Sequence, residues 1–180
     1  KFRIALENVV PLNTAFSSAG LSQDLKKIAE LISVRSFLGA SRQIYYVTYG
    51  GWDHHDNVLT NQANMLPVLS TALAEFNNAM KEINMHDNVV SFTISDFART
   101  LTSNGNGSDH AWGGNQIVMG GPIHGSRVFG NYPSLSLVNN DFNLSTRGRI
   151  LPTTSVDEFY AELALWYGVS PNDLNYVLPN

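Results

Sequence analysis

The sequence predicts an α/β domain of three layers, in which helices cover both faces of a largely parallel sheet. Two observations lead to this class. Helix-like and strand-like segments alternate along the chain in the order α-β-α-β-β-α, and the strand-like segments are short, apolar and rich in β-branched and aromatic residues. Because 180 residues suffice for one hydrophobic core, we expect residues 1–180 to form a single domain.

Three helices are predicted from apolar residues that recur with helical spacing. The first begins at Leu21 and ends before Gly39, a residue type that commonly follows a helix. The second covers residues 57–83 and contains Pro67, which should kink the helix or split it in two. The third covers residues 155–166 and opens with a Ser-x-x-Glu capping box.

Three strands are predicted from local composition, and they cover residues 43–49, 88–95 and 116–119. The first two are the clearer ones, since they read QIYYVTY and NVVSFTIS. Between the second and third strands, residues 101–114 are rich in Asn, Gly and Ser and predict an irregular loop.

Composition and charge exclude several functional classes. The net charge is −4, and the eleven Lys and Arg residues are scattered, which argues against a nucleic-acid-binding surface. The chain has no cysteine, so disulfides and thiolate metal sites are excluded. No apolar run approaches the roughly 20 residues that a membrane span needs. The chain begins with Lys rather than Met, and we expect it to be part of a longer protein.

Three polar clusters lie at or near the ends of the two clearer strands. They are Gly51-Trp52-Asp53-His54-His55, Ser95-Asp96-Phe97-Ala98-Arg99 and Ser108-Asp109-His110. In open α/β sheets, ligands bind outside the carboxyl ends of the strands. Carboxylates and imidazoles suit divalent cations, so we expect the clusters to converge on a site for zinc, manganese, magnesium or calcium.

Each of these polar residues also has a purely structural interpretation. Asp96 and Asp109 are residue types that commonly stabilise turns. Arg99 either clamps an anionic group or pairs with one of these aspartates and holds the loop in place. His54 is a candidate lining residue, because adjacent histidines do not both face one ligand in a simple turn. His124 follows the third strand, and its role is open.

Four motifs spread over almost the whole chain resemble the bacterial domain of unknown function 1501 family. They are YVTYGGWDHHDN, FTISDFARTLTSNGNGSDHAWGGNQIVMGG, VFGNYP and GRILPTTSVDEFYAELALWYGVS. The resemblance implies a longer protein with a twin-arginine export signal, a periplasmic or secreted location, and a C-terminal position for this chain. It also implies membership of the alkaline phosphatase and sulfatase-like superfamily, and hence a partial alkaline-phosphatase-like fold.

The resemblance assigns roles to individual residues. It implies that the metal ligands are Asp53, His55, Asp96, Asp109 and His110, with His54 and His124 as additional candidates. Phe97 stands where the superfamily often has a second ligand histidine. The superfamily's nucleophile lies upstream of the region that this chain matches, and Ser17, Ser18 and Ser22 have no acidic strand end before them.

Two functions from different classes follow. One is a metal-dependent hydrolase-like domain that acts on a phosphate or sulfate-type anionic ester, with Arg99 holding the anion or the ligand shell. The other is a catalytically silent exported protein that binds a glycan or small anion, or takes part in assembly. A third interpretation treats every motif as loop scaffolding.

Overall fold

A computed structural model of the protein describes residues 2–179. The chain divides into two compact units. The first unit contains the residues up to Ile94, together with Gly105–Gly107 and Gln116–Gly125. The second unit contains Ser95–Asn104, Ser108–Asn115 and the residues from Ser126 onward.

Helices make up most of the regular structure. The α-helices are α1 Phe2–Leu6, α2 Gly20–Ser33, α3 Arg35–Leu38, α4 Val58–Glu82, α5 Val156–Tyr167 and α6 Leu174–Val177. Short 3₁₀ turns cover His86–Asn88 and Pro171–Asp173. All three predicted helices are therefore confirmed, with the first divided into α2 and α3 and ended by Gly39 in the left-handed conformation at φ 68°.

The core of the first unit lies between α2 and α4. Apolar residues three and four apart form one stripe on each helix, and each stripe is buried against the other helix. The buried side chains of this core are Ala29, Ile32, Phe76, Ala79 and Met80. Tyr45 and Val89 pack against it from outside the helices.

Helix α4 continues through Pro67 without a break. Proline removes one backbone donor from the helical ladder and crowds the preceding turn. One continuous helix nevertheless covers Val58–Glu82, so of the two predicted alternatives, a kink or a split, the split is wrong.

The strands are short and form two antiparallel pairs. They are β1 Val90–Phe92, β2 Ala98–Arg99, β3 His110–Ala111 and β4 Val118–Gly120. In the first unit β1 pairs with β4, and Ser91 lies opposite Met119. In the second unit β2 pairs with β3, and Arg99 lies opposite His110.

The predicted three-layer α/β/α fold with a largely parallel, alkaline-phosphatase-like sheet is wrong. Over residues 2–179 the only sheets are the two antiparallel pairs. The predicted strand 43–49 pairs with no other described segment, although the exposure of its side chains alternates as in a strand. Strand-forming residues favour an extended backbone, but a sheet also requires a partner with matching hydrogen-bonding groups.

The second unit is held together largely by loops around the β2–β3 pair. Gly113 N donates to Ile150 O at 2.7 Å, and Leu101 N donates to Gly148 O at 3.1 Å. Helix α5 begins with the predicted capping box and ends at Gly168, which is left-handed with φ 103°. These contacts fix the loop that carries His110.

None of the helices within residues 2–179 combines the length and the apolar character that a membrane crossing requires.

Candidate functional site

The turn after Gly51 brings Asp53 and His55 together in the first unit. Gly51 has a φ of 98°, a left-handed conformation that favours glycine and lets the chain change direction. His54 N then donates to Trp52 O at 2.9 Å, and His55 N donates to Asp53 O at 3.0 Å. These tight turns place the Asp53 and His55 side chains together, with Oδ1 and Nε2 separated by 3.0 Å. About half of each side chain is exposed to solvent.

His54 lies between these residues in sequence but is buried, with 4% of its surface exposed. Its Nδ1 lies 3.4 Å from the Asn61 side-chain nitrogen on α4, and its ring is tilted against Trp52. Its Nε2 is buried and has no hydrogen-bond partner within residues 2–179. His54 therefore supports the turn, whereas Asp53 and His55 face solvent.

A loop of the first unit, Gly105–Gly107, holds this turn in place. The Asn106 side chain donates to Asp56, and Val58 N donates to Asn106 O at 3.1 Å. Gly107 packs so closely on the turn that a Cβ there would overlap the carbonyl groups of His54 and His55. The sequence Gly-Asn-Gly at residues 105–107 of the predicted irregular loop thus positions the Asp53–His55 pair.

In the second unit, Arg99 positions the segment that precedes His110. Arg99 Nε donates to Ser108 Oγ at 3.0 Å, and its Nη2 donates to the Ser108 carbonyl. Ser108 is buried, so these bonds satisfy polar groups that water does not reach. Of the two interpretations of Arg99, these contacts match the one in which it holds the loop, and it does so through Ser108.

His110 is exposed on β3 and its ring is stacked on Phe97. The two ring centroids are 4.4 Å apart, and the ring planes are inclined by only 7°. The Arg99 guanidinium lies 5.5 Å from the centroid of the Phe97 ring. Phe97 therefore supports the imidazole of His110.

Asp109 forms an ion pair with Arg147 that the sequence did not predict. Its other carboxylate oxygen, Oδ1, lies 3.4 Å from the side-chain nitrogen of Asn104. Its backbone is bonded to Thr100 in both directions: Thr100 N donates to Asp109 O at 2.9 Å, and Asp109 N donates to Thr100 Oγ1 at 3.1 Å. No local pattern marks Arg147, which lies in an irregular segment 38 residues away from its partner.

The remaining predicted site residues make fewer contacts. Asp96, in the second unit, is exposed and forms no hydrogen bond or ion pair with any described residue. His124, in the first unit, is exposed. Ser17 Oγ donates to Ser22 Oγ at 2.8 Å, next to the start of α2, and Ser22 is fully buried. These two hydroxyls stabilise the entry to the helix.

The comparison with protein families identifies the chain. The model of the family described as "Protein of unknown function (DUF1501)" matches residues 15–176. The chain belongs to the DUF1501 family. No curated protein and no solved structure matches it. For this DUF1501 protein the family resemblance of the sequence motifs is therefore confirmed, and the function rests on the chemistry of its residues.

Proposed function

We propose that this DUF1501 protein binds a divalent metal ion and acts as a metal-dependent hydrolase on a phosphate or sulfate-type anionic ester. The observation that carries the proposal is the Asp53–His55 pair, in which a carboxylate oxygen and an imidazole nitrogen lie 3.0 Å apart and face solvent. Two ligand atoms bound tetrahedrally to zinc at about 2.0–2.1 Å are about 3.3 Å apart. The pair therefore needs little rearrangement to bind one metal ion.

The chemistry of the available donors favours zinc or manganese over magnesium or calcium. Imidazole is a good ligand for zinc and an acceptable one for manganese, whereas magnesium and calcium prefer sites made of oxygen atoms. The chain has no thiolate to offer. The side chains that this sequence offers as metal ligands are therefore carboxylates and imidazoles.

The resemblance of the sequence motifs implies further candidate metal ligands in the second unit, namely Asp96, Asp109 and His110. His110 is exposed and its ring is held by Phe97, which supports a role as a ligand. Asp96 is exposed and keeps its carboxylate available.

A bound metal ion supplies an activated water molecule and stabilises developing negative charge on an ester oxygen. The residues of this chain orient that ion and admit an anionic substrate. Because the Ser17 and Ser22 hydroxyls are bonded to each other, a water molecule is the better candidate nucleophile.

Metal content is the direct test. We expect equilibrium dialysis against Zn²⁺ or Mn²⁺, followed by elemental analysis, to give about one ion per chain. We expect Asp53→Asn and His55→Gln each to weaken binding at least tenfold, in line with the loss of one ligand. His86→Gln is the matched control, since His86 also lies beside an aspartate, with Nδ1 3.3 Å from Asp87 Oδ1. Absence of bound metal would refute the metal site. An equal loss of metal affinity in His86→Gln would also refute it.

Hydrolysis is tested separately with phosphate monoesters, phosphate diesters and sulfate esters. We expect turnover of at least one class that depends on added metal and is lost in Asp53→Asn. Metal binding without turnover of any class would leave the site intact and refute the hydrolase.

The second candidate is a catalytically silent exported protein, periplasmic or secreted, that binds a glycan or small anion or takes part in assembly. Its support is the large exposed apolar surface of the second unit, where Phe129, Val156 and Trp166 are each 45% exposed or more. Such surfaces commonly mark sites of interaction. Self-association or glycan binding together with failure of every ester substrate would favour this candidate.

A further inference from the structure

We propose that Asp109 is not a metal ligand but a positioning residue, and that its ion pair with Arg147 fixes the strand that presents His110. The inference rests on the proposed function in one respect, namely that His110 binds the metal. It assigns a role to Arg147 and removes one carboxylate from the ligand set that the family motifs imply.

The backbone of Asp109 is already anchored. Thr100 bonds both the N–H and the carbonyl group of Asp109, as described above. Thr100 is buried, and its hydroxyl also donates to Thr102 O at 2.9 Å. A change in the position of Asp109 would therefore disturb a buried, hydrogen-bonded segment, which is costly.

Arg147 closes this network through both its backbone and its side chain. Its carbonyl accepts hydrogen bonds from Thr102 N at 3.2 Å and from Thr102 Oγ1 at 3.0 Å. Its guanidinium binds the Asp109 carboxylate. The segments around Thr100, Asp109 and Arg147 are thus joined in a closed ring of contacts, and His110 is the next residue after that ring.

The Asp109 carboxylate is paired with the Arg147 guanidinium. Only 26% of the Asp109 side chain is exposed, and the Arg147 Nη2 is buried with no hydrogen-bond partner among the described residues. A metal ion that took Asp109 from Arg147 would break this ion pair and leave the guanidinium, which is 39% exposed, without its carboxylate, at a modest cost in free energy. The carboxylate of Asp96 is more exposed and forms no ion pair with a described residue.

Two supports therefore act on His110 in the second unit. The ion pair and Thr100 hold its backbone, while Phe97 holds its ring at a centroid separation of 4.4 Å. An imidazole fixed in this way loses little conformational freedom on binding a metal, which favours affinity.

The substitution Arg147→Gln distinguishes a positioning role of Asp109 from a role as metal ligand, because the two roles predict opposite changes in Zn²⁺ affinity. If Asp109 positions His110, Arg147→Gln should weaken Zn²⁺ binding severalfold. If Asp109 were a ligand for which Arg147 competes, the same substitution should tighten binding. Arg149→Gln is the matched control, because Arg149 is exposed and its side chain forms no hydrogen bond or ion pair with a described residue. Unchanged or tighter binding in Arg147→Gln overturns the proposal.

Charge reversal gives a second test. Asp109→Arg should weaken Zn²⁺ binding at least tenfold, and the double variant Asp109→Arg/Arg147→Asp should recover to within about threefold of the unmodified protein. An arginine at position 109 is unable to bind the metal, so recovery shows that metal binding does not require a carboxylate at position 109. A folded double variant that stays at the low affinity of the single variant overturns the proposal.

A readout without metal separates failure of this inference from failure of the proposed function. The ring protons of His110 should resonate upfield of their random-coil positions, because they lie over the face of Phe97. We expect Arg147→Gln to move these resonances downfield and Arg149→Gln to leave them in place. If the protein binds no metal but the resonances move as expected, the metal site fails and the positioning role stands. If the His110 resonances do not move in Arg147→Gln, the positioning role fails.

Discussion

At the scale of single residues, Gly107 shows how a backbone atom positions the Asp53–His55 pair. Its Cα lies against the carbonyl groups of His54 and His55, which leaves no room for a methyl group. These neighbours are backbone atoms and have no rotamer by which to move aside. The turn that carries the pair is therefore coupled to the identity of residue 107.

We expect Gly107→Ala to lower the free energy of unfolding by about 1–3 kcal/mol, the usual cost of overpacking. Urea unfolding measures this change. Gly50→Ala is the matched control, because a Cβ at Gly50 meets no atom within 4 Å. A loss of stability in the Gly50 variant as large as that in the Gly107 variant would contradict the steric explanation.

Local sequence predicted that Asp53 and His55 lie close together, but it did not predict the partner of Asp109. Asp53 and His55 are two positions apart, so a tight turn alone brings their side chains together. Arg147 was not predicted, since it reaches Asp109 only after the chain has folded back across an irregular segment. Short-range contacts follow from spacing along the chain, whereas long-range ion pairs depend on the tertiary structure.

At the scale of secondary-structure elements, α5 depends on its cap more than a packed helix would. None of its residues is fully buried, so tertiary packing stabilises it less than it stabilises a helix with a buried face. Glu158 N donates to Ser155 Oγ at 3.1 Å, and Ser155 N donates to Glu158 Oε2 at 2.6 Å. These bonds satisfy two backbone donors that the first helical turn leaves open.

We expect Ser155→Ala to destabilise α5 by about 1 kcal/mol, a typical cost for removing a helix cap. Amide hydrogen exchange in the first turn of α5 should accelerate about fivefold, since 1.4 kcal/mol corresponds to a factor of ten. The control Ser41→Ala removes an exposed hydroxyl that makes no contact with a described residue. Unchanged exchange at residues 156–160 would show that the cap does not limit the opening of this helix.

The predicted strands 88–95 and 116–119 are confirmed in part by β1 and β4, whereas the predicted strand 43–49 is wrong, for a physical reason. Helical hydrogen bonds close within four residues, so periodicity and capping residues within one segment are enough to specify α4 or α5. Ile44 and Tyr46 are strongly strand-forming, yet they are 81% and 77% exposed, and their segment pairs with no described strand. The composition of residues 43–49 favoured an extended backbone. It contained no information about a second strand with which this segment could form a sheet.

At the scale of the whole molecule, the two units are stabilised in different ways. The first unit has an apolar core between two helices. Among the described residues of the second unit, Ala98 and Ile150 are the only buried apolar side chains. The apolar composition predicted a hydrophobic core. It did not predict that apolar side chains are buried in the first unit and largely exposed in the second, because that distribution depends on the fold.

The irregular segment that precedes α2 is joined to the end of α4 by one carboxylate. Glu82 Oε1 accepts bonds from Asn13 N at 2.6 Å and Asn13 Nδ2 at 3.1 Å. Glu82 Oε2 accepts bonds from Thr14 Oγ1 at 2.6 Å and Thr14 N at 2.8 Å. These donors favour the charged form, with the Thr14 hydroxyl contributing most, and they lower the pKa of Glu82 to about 2.

This lowered pKa predicts how the stability of the protein depends on acid. An unfolded glutamate has a pKa of about 4.3, so Glu82 contributes its full stabilisation above that pH and loses it as the pH falls towards 2. We expect the unmodified protein to be more stable than Glu82→Gln at pH 7, and the difference in free energy of unfolding to shrink below about pH 4.3 and disappear near pH 2. Urea unfolding at a series of pH values measures this difference. Glu162→Gln is the control, since the Glu162 side chain is exposed and forms no hydrogen bond or ion pair with a described residue, and its difference should stay near zero throughout. A difference between the unmodified protein and Glu82→Gln that is independent of pH would mean that the hydrogen bonds from Asn13 and Thr14 do not distinguish the charged from the neutral carboxyl group.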